Sequence, residues 1–189
     1  MVGATLAAAV MAAVLSSYIY LGRGLNRLAN QQTLETETRR TLGYFTQDVQ
    51  SSSGLTGTVS ATRVSLLVST ATGTNTITYY FNDTSSAATV AVNGTNVSMA
   101  ANALTRCVYD GSAVTSLTLL RNITSGGLTL SYYDSAGNAY TSYTNYLNGI
   151  KQVVLQVSTQ AGNSTNGTQT RTYQASSSRL VLRNRSYLQ

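Results

Sequence analysis

The first charged residue of the chain is Arg23, and everything before it is apolar, small or a hydroxyl. Val2 to Leu21 is a near-continuous run of Ala, Val, Leu, Met and Ile, broken only by Gly, Thr, Ser and Tyr. At about 1.5 Å per residue, such a run covers roughly 30 Å as a helix, the thickness of a bilayer hydrocarbon core. It exceeds the roughly 7–15 apolar residues of a secretory signal and lacks that signal's basic start. A buried core helix is the other rival, but a small domain has little to wrap around so long an uncharged segment. The pattern predicts a membrane-spanning helix over residues 1–22. Within it Ala4, Ala8, Ala12 and Ser16 stand one turn apart, as do Thr5, Ala9, Ala13 and Ser17. Val2, Leu6, Val10 and Val14 form a bulky row, and Met11, Leu15 and Ile19 another. Small residues at a spacing of four permit close helix approach in lipid.

The helical pattern continues past the apolar run. Residues 23–51 contain no proline and are rich in helix formers, and Leu42, Phe45 and Val49 recur at i, i+3, i+7. That stripe predicts an amphipathic half whose apolar side packs on a folded head. Glu35 and Arg39 form an i,i+4 pair in the favourable order. A helix continuous to residue 50 has a length of roughly 75 Å, with a soft joint expected at Gly22 and Gly24. Ser51-Ser52-Ser53-Gly54 ends it.

After Gly54 the period becomes two. Arg63–Thr70, Asn75–Asn82, Thr89–Val92, Leu104–Asp110, Ser116–Arg121, Gly127–Tyr133, Ile150–Thr159, Gln169–Ala175 and Ser178–Arg185 read as strands. They are rich in Val, Ile, Thr and Tyr, and turn signals such as Asn93-Gly94 and Asp110-Gly111 separate them. Short links leave no room for βαβ crossovers, so pairing is antiparallel. The fold class is therefore α+β: a long N-terminal helix, transmembrane in its first half, packed on an antiparallel β-rich head over residues 52–189.

Composition narrows the chemistry. The 189 residues, 20.0 kDa, suit one domain with an appendage, and a 42% apolar fraction is enough for a core. Only 10% of residues are charged, and Pro, Trp and His are absent; 29 Thr and 23 Ser supply the polarity. Without histidine there is no Ser-His-Asp or Cys-His catalysis and no imidazole ligand for a metal. The single Cys107 excludes an internal disulfide, and its alternating strand context makes it a small buried hydrophobe. The head's acids, Asp83, Asp110 and Asp134, are far apart in sequence, so a carboxylate pair for hydrolysis is the weakest reading. No enzyme activity, cofactor or metal site is expected.

The net charge of +6 falls mostly on the head. Arg179, Arg183 and Arg185 share one face of the last strand by alternation, so they are candidate contacts to DNA or another polyanion. Solvated edge-strand arginines are the alternative. Asp134-Ser135-Ala136-Gly137-Asn138 has oxygen ligands for calcium, yet one carboxylate is too few and the sequence suits a turn. Asn-x-Ser/Thr sequons at Asn82, Asn93, Asn96, Asn122, Asn163, Asn166 and Asn184 follow from a chain rich in Asn and Thr.

Several motifs in order resemble a known family. The small-residue helix opening Met1-Val2-Gly3 and the amphipathic half with Arg39-Arg40-Thr41-Leu42 and Phe45-Thr46-Gln47-Asp48-Val49 are similar to type IV pilin-like proteins. Thr78-Tyr79-Tyr80-Phe81, Leu104-Thr105-Arg106, Leu119-Leu120-Arg121-Asn122, Tyr132-Tyr133-Asp134-Ser135-Ala136-Gly137, Gly149-Ile150-Lys151-Gln152-Val153 and the ending Arg179 to Arg185 narrow this. Together they resemble PilW-type minor pilins and the J-type minor pseudopilins of type II secretion. The family's basic leader, cleavage glycine and following Phe-x-x-x-Glu are expected upstream of Met1, the alternative being a chain that is not processed in that way.

The resemblance implies a structural subunit of a type II secretion pseudopilus or type IV pilus, minor or initiating. It would be stored in the bacterial inner membrane as a single-pass protein with its head in the periplasm, then assembled into the filament. Its partners would be other pilins or pseudopilins, helix to helix, and the assembly platform. Val2, Ala4, Leu6, Ala8, Val10, Ala12, Val14 and Ser16 would serve membrane storage and assembly. The alternative function is a membrane-anchored extracytoplasmic binding module for DNA or another acidic polymer.

Overall fold

The structure, a computed structural model, describes residues 2–71, 73–140, 147, 149–161 and 172–182. One helix, α1 (Val2–Ser51), runs unbroken through 50 residues and crosses Gly22 and Gly24 without a joint. The two glycines lower local helix propensity but leave every backbone bond of a continuous helix available. The helix stops where serines take over its last carbonyls: Ser51 Oγ donates to Gln47 O and Ser52 Oγ to Val49 O, each at 2.8 Å.

Ten strands follow: β1 (Ser52–Leu55), β2 (Arg63–Thr70), β3 (Gly73–Asn82), β4 (Ala88–Val92), β5 (Thr95–Met99), β6 (Ala103–Tyr109), β7 (Val114–Leu120), β8 (Ile123–Tyr133), β9 (Gln152–Ala161) and β10 (Thr172–Val181). All pairings are antiparallel: β1-β2-β3-β6-β7 in one sheet, β10-β9-β8 in a second, and the hairpin β4-β5. The α+β class read from the sequence stands. Three strand assignments change. Ser52–Leu55 continues from the helix directly into the edge of the first sheet. Thr95–Met99 is a strand, closed against β4 by Asn93 (φ 46) and Gly94 (φ 81), the left-handed pair a two-residue hairpin requires. The two final strands expected from alternation are one strand, β10, which ends at Val181.

The chain changes sheets at Arg121–Asn122. Leu120 still pairs with Leu104, whereas Ile123 pairs with Thr159, and Asn122 (φ 55) makes the turn. Just beyond, β8 carries a bulge at Gly126 and Gly127. A Cβ on Gly127 would collide with the Thr124 side chain and the Ser158 carbonyl, so only glycine fits.

Two apolar clusters hold the head. The larger unites Phe45 and Val49 of α1 with Leu66, Tyr79 and Leu120 of the five-stranded sheet and Leu130, Tyr132 and Leu155 of the three-stranded one. The smaller lies on the other side of the five-stranded sheet, where Val92, Val97 and Met99 of the hairpin cover Cys107. Alternation along β6 explains the division, because Arg106 faces the helix and Cys107 faces the hairpin.

Candidate functional site

The first functional feature is bare helix. Every residue from Val2 to Ala29 is exposed, including Val2, Ala4, Leu6, Ala8, Val10, Ala12, Val14 and Ser16. An 18-residue window here has a mean hydropathy of 1.9 with none of it buried, so α1 is long and apolar enough to cross a membrane. Two of the hydroxyls in this half are closed onto the helix itself: Thr5 Oγ1 donates to Val2 O at 2.8 Å and Ser17 Oγ to Ala13 O at 3.0 Å. Polar groups bonded to their own helix need no water, which suits an apolar surrounding.

The second feature is the junction between helix and head. From Leu34 onward a buried stripe runs Leu34, Thr38, Thr41, Phe45, Asp48 and Val49. Phe45 and Val49 are fully buried, and Leu42 is half-buried at the edge of the same cluster. Phe45 meets Tyr79 edge-on, with ring centroids 5.1 Å apart. Thr41 Oγ1 donates to the helical carbonyl of Glu37 at 2.8 Å and approaches Leu119 O of β7 at 3.4 Å.

Asp48 is the buried charge of this junction. Arg106 of β6 grips it with two bonds, Nε to Oδ2 at 2.6 Å and Nη2 to Oδ1 at 3.0 Å. Tyr79 Oη donates to the same Oδ2 at 2.6 Å. Burial and the Asp48 carboxylate together push the Tyr79 phenol far above its ordinary range, so it stays a donor. The hydrogen bond to Asp48 raises the Arg106 guanidinium against the opposing pull of burial. Arg106 also lies over the Tyr44 ring at 5.5 Å, and Arg40 lies over the same ring at 5.6 Å. Three segments far apart in the sequence, those holding Asp48, Tyr79 and Arg106, thus converge on one ion pair.

In the sequence Asp48 stands inside the Phe45–Val49 motif with no partner assigned to it. A signal was present: Asp48 falls three residues after Phe45 and next to Val49, on the packing face, where a carboxylate demands a cation. Which arginine answers depends on strand register, which no local pattern encodes.

The third feature is Arg179. It is exposed, lies over the Tyr133 ring at 4.8 Å and donates Nε to Gln152 Oε1 at 2.6 Å. Arg183 and Arg185, its expected companions on one face, lie outside the described residues. The neighbouring loop is a turn. Asp134 Oδ1 accepts from the Asn138 amide N–H and Oδ2 from Asn138 Nδ2, each at 2.8 Å, and these bonds hold its carboxyl below the usual range. No group of three or more potential metal ligands occurs among the described residues. Of the sequons, Asn82 is buried and donates its amide to Ser86 O and Ala100 O, so it is closed to modification as folded. Burial pushes the Cys107 thiol up to about 11, and the nearby Arg63 charge offsets this only in part.

Comparison of the chain with family models, with curated proteins and with solved structures finds no match.

Proposed function

We propose that this chain is a structural, non-enzymatic subunit, stored in a membrane by the first half of α1 and assembled into a filament through that same half. The carrying observation is the division of one continuous 50-residue helix into a bare apolar half and a half locked to a β-sheet head. An apolar surface of that length needs lipid or another helix around it. Moving it from one to the other leaves it apolar throughout, so packing at Ala4, Ala8 and Ala12 decides the exchange. With the sequence resemblance, this favours a type IV pilin-like minor subunit of a type II secretion pseudopilus or type IV pilus. The head would then lie in the periplasm, and the partners would be other pilin-like helices and the assembly platform. A second reading, an anchored module for DNA or another acidic polymer, draws on Arg179 alone.

The test is fractionation of cells making the full chain, with the N-terminus of the native protein read by mass spectrometry. Recovery in sheared filaments, and disulfide trapping of an Ala8→Cys variant with a second pilin-like helix, are the expected results. A protein confined to the membrane fraction, with no trapped helix partner, would sink the assembly reading.

A further inference from the structure

The chain builds one arrangement twice. In the first copy, Arg106 lies over Tyr44 and sends Nε to a side-chain oxygen at 2.6 Å. That oxygen belongs to Asp48, so the guanidinium charge is answered within the molecule. In the second copy, Arg179 lies over Tyr133 and sends Nε to a side-chain oxygen, again at 2.6 Å. Here the oxygen belongs to Gln152, which is neutral. The amide holds the guanidinium in place and leaves its charge unanswered. Among the described residues no carboxylate pairs with Arg179, and the carboxylate of Asp134 accepts from Asn138 at both oxygens.

The geometry leaves a specific opening. With Nε occupied, the two Nη groups remain as an end-on fork matched to a carboxylate, and the tyrosine fixes the plane of that fork. Gly137 borders it closely: a Cβ there would stand 3.5 Å from Nη2. Val181 lies two residues along β10 on the same face and is 54% exposed, one of only two large apolar side chains exposed among the described head residues. The other described residues of this face, including Gln152, Gln156 and Ser131, are uncharged.

We propose that Arg179, held on Tyr133 by Gln152, is a binding fork for an aspartate or glutamate side chain of another polypeptide, with Val181 receiving an apolar neighbour of that acid. An arginine seated on a tyrosine is the composition of an interface anchor. A nucleic acid backbone offers many phosphates and asks for several cations, whereas the described part of this face holds one. The inference stands independently of filament assembly.

The full chain in neutral detergent is titrated into a fluorescent peptide of alternating Glu and Ala, followed by anisotropy at low salt. The Gln-for-Glu peptide and a single-stranded DNA of equal charge serve as comparisons. The Glu peptide binds, and Arg179→Lys, which keeps the charge but loses the fork, weakens binding at least about fivefold. Tyr133→Leu weakens it while Tyr133→Phe does not, and Arg121→Gln, at an exposed arginine elsewhere, changes it less than about twofold. Circular dichroism confirms that each variant is folded. The proposal is overturned if Arg179→Lys binds as the parent does, if the Gln peptide binds equally, if DNA binds more tightly than the Glu peptide, or if the Glu peptide does not bind.

Discussion

The two halves of α1 reverse the usual relation between hydropathy and burial. Val2 to Ala29, the most apolar stretch of the chain, is exposed at every residue. The buried stripe of the second half, Leu34, Thr38, Thr41, Phe45, Asp48 and Val49, is half polar. The difference lies in what surrounds each half. The first is packed on no other part of the described chain, and with Thr5 and Ser17 closed onto their own helix it is long and apolar enough to cross a membrane. The second faces a folded sheet that supplies an arginine and a tyrosine for its aspartate. Hydropathy reads the surroundings of a segment when those surroundings are a bulk phase. Against a folded partner, pairing decides.

The sharpest way to break that contrast is to remove the aspartate. Asp48→Ala leaves Arg106 and the Tyr79 hydroxyl buried without their acceptor, an expected loss of about 3–5 kcal/mol. Denaturant unfolding of the full chain in detergent, followed by tyrosine circular dichroism, reads it. Replacing both partners by apolar residues, Asp48→Leu with Arg106→Met, recovers most of the loss because no orphaned charge remains. In the same assay Leu6→Ala or Val10→Ala shifts head stability by no more than about 0.5 kcal/mol. An equal effect from the exposed half would dissolve the distinction between them.

The converse experiment charges the first half. Ala8→Arg makes membrane insertion less favourable by about 2.5–3.5 kcal/mol, measured by flotation with vesicles, while the unfolding midpoint of the head stays that of the parent. A head destabilised by Ala8→Arg would mean that the first half also packs on protein.

The same contrast explains what was legible in the sequence. The apolar run, the end of the helix at the Ser51 cluster and most strands follow from period and turn residues, which are local. Thr95–Met99 was within reach, since Asn93-Gly94 is the strongest short hairpin signal and Val97 and Met99 alternate with Asn96 and Ser98, but the segment is short and Asn has a low strand propensity. Ser52–Leu55 reads as a helix stop because Ser52, Ser53 and Gly54 have no strand preference, and its pairing with β2 alone makes it a strand. The change of sheet at Asn122 and the meeting of Asp48 with Arg106 depend on contacts between distant segments, for which no spacing rule exists. Of the candidate site, the apolar helix and the Phe45–Val49 face were legible. The Arg179 fork was not, because Tyr133 and Gln152 reach it only through the register of β8, β9 and β10.

A smaller effect appears at alkaline pH, on the side of the sheet away from the helix. The folded Cys107 thiol keeps its proton up to about 11, against an ordinary value of 9.0. Between those values the unfolded chain has lost a proton that the folded one retains, so stability falls as pH rises. Tyr79 acts in the same direction above its ordinary value of 10.0. Cys107→Val removes the thiol contribution, so the variant loses less stability than the parent between about pH 8.5 and pH 10. Equal losses would mean that the thiol is open to solvent and that the β4-β5 hairpin does not seal it.

The smallest effect compares an ion pair within the helix with the one that joins the helix to β6. Arg39 with Glu35 and Arg106 with Asp48 are both guanidinium–carboxylate contacts, but the side chains of the first are 79% and 45% exposed, and those of the second 18% and 7%. Water and salt screen the first pair, and holding two long side chains together offsets much of its attraction. Glu35→Gln is expected to lower stability by no more than about 0.5 kcal/mol, and about 1 M salt should erase the difference. The Asp48→Ala loss should persist in that salt, because it arises from desolvated groups left unpaired rather than from long-range attraction. Both carboxylates stand on α1, so the ratio of the two losses compares an exposed pair within the helix with a buried one that also holds Tyr79 and ties the helix to β6. A ratio near one would mean that the second half of α1 is held by its own helical propensity and not by the head.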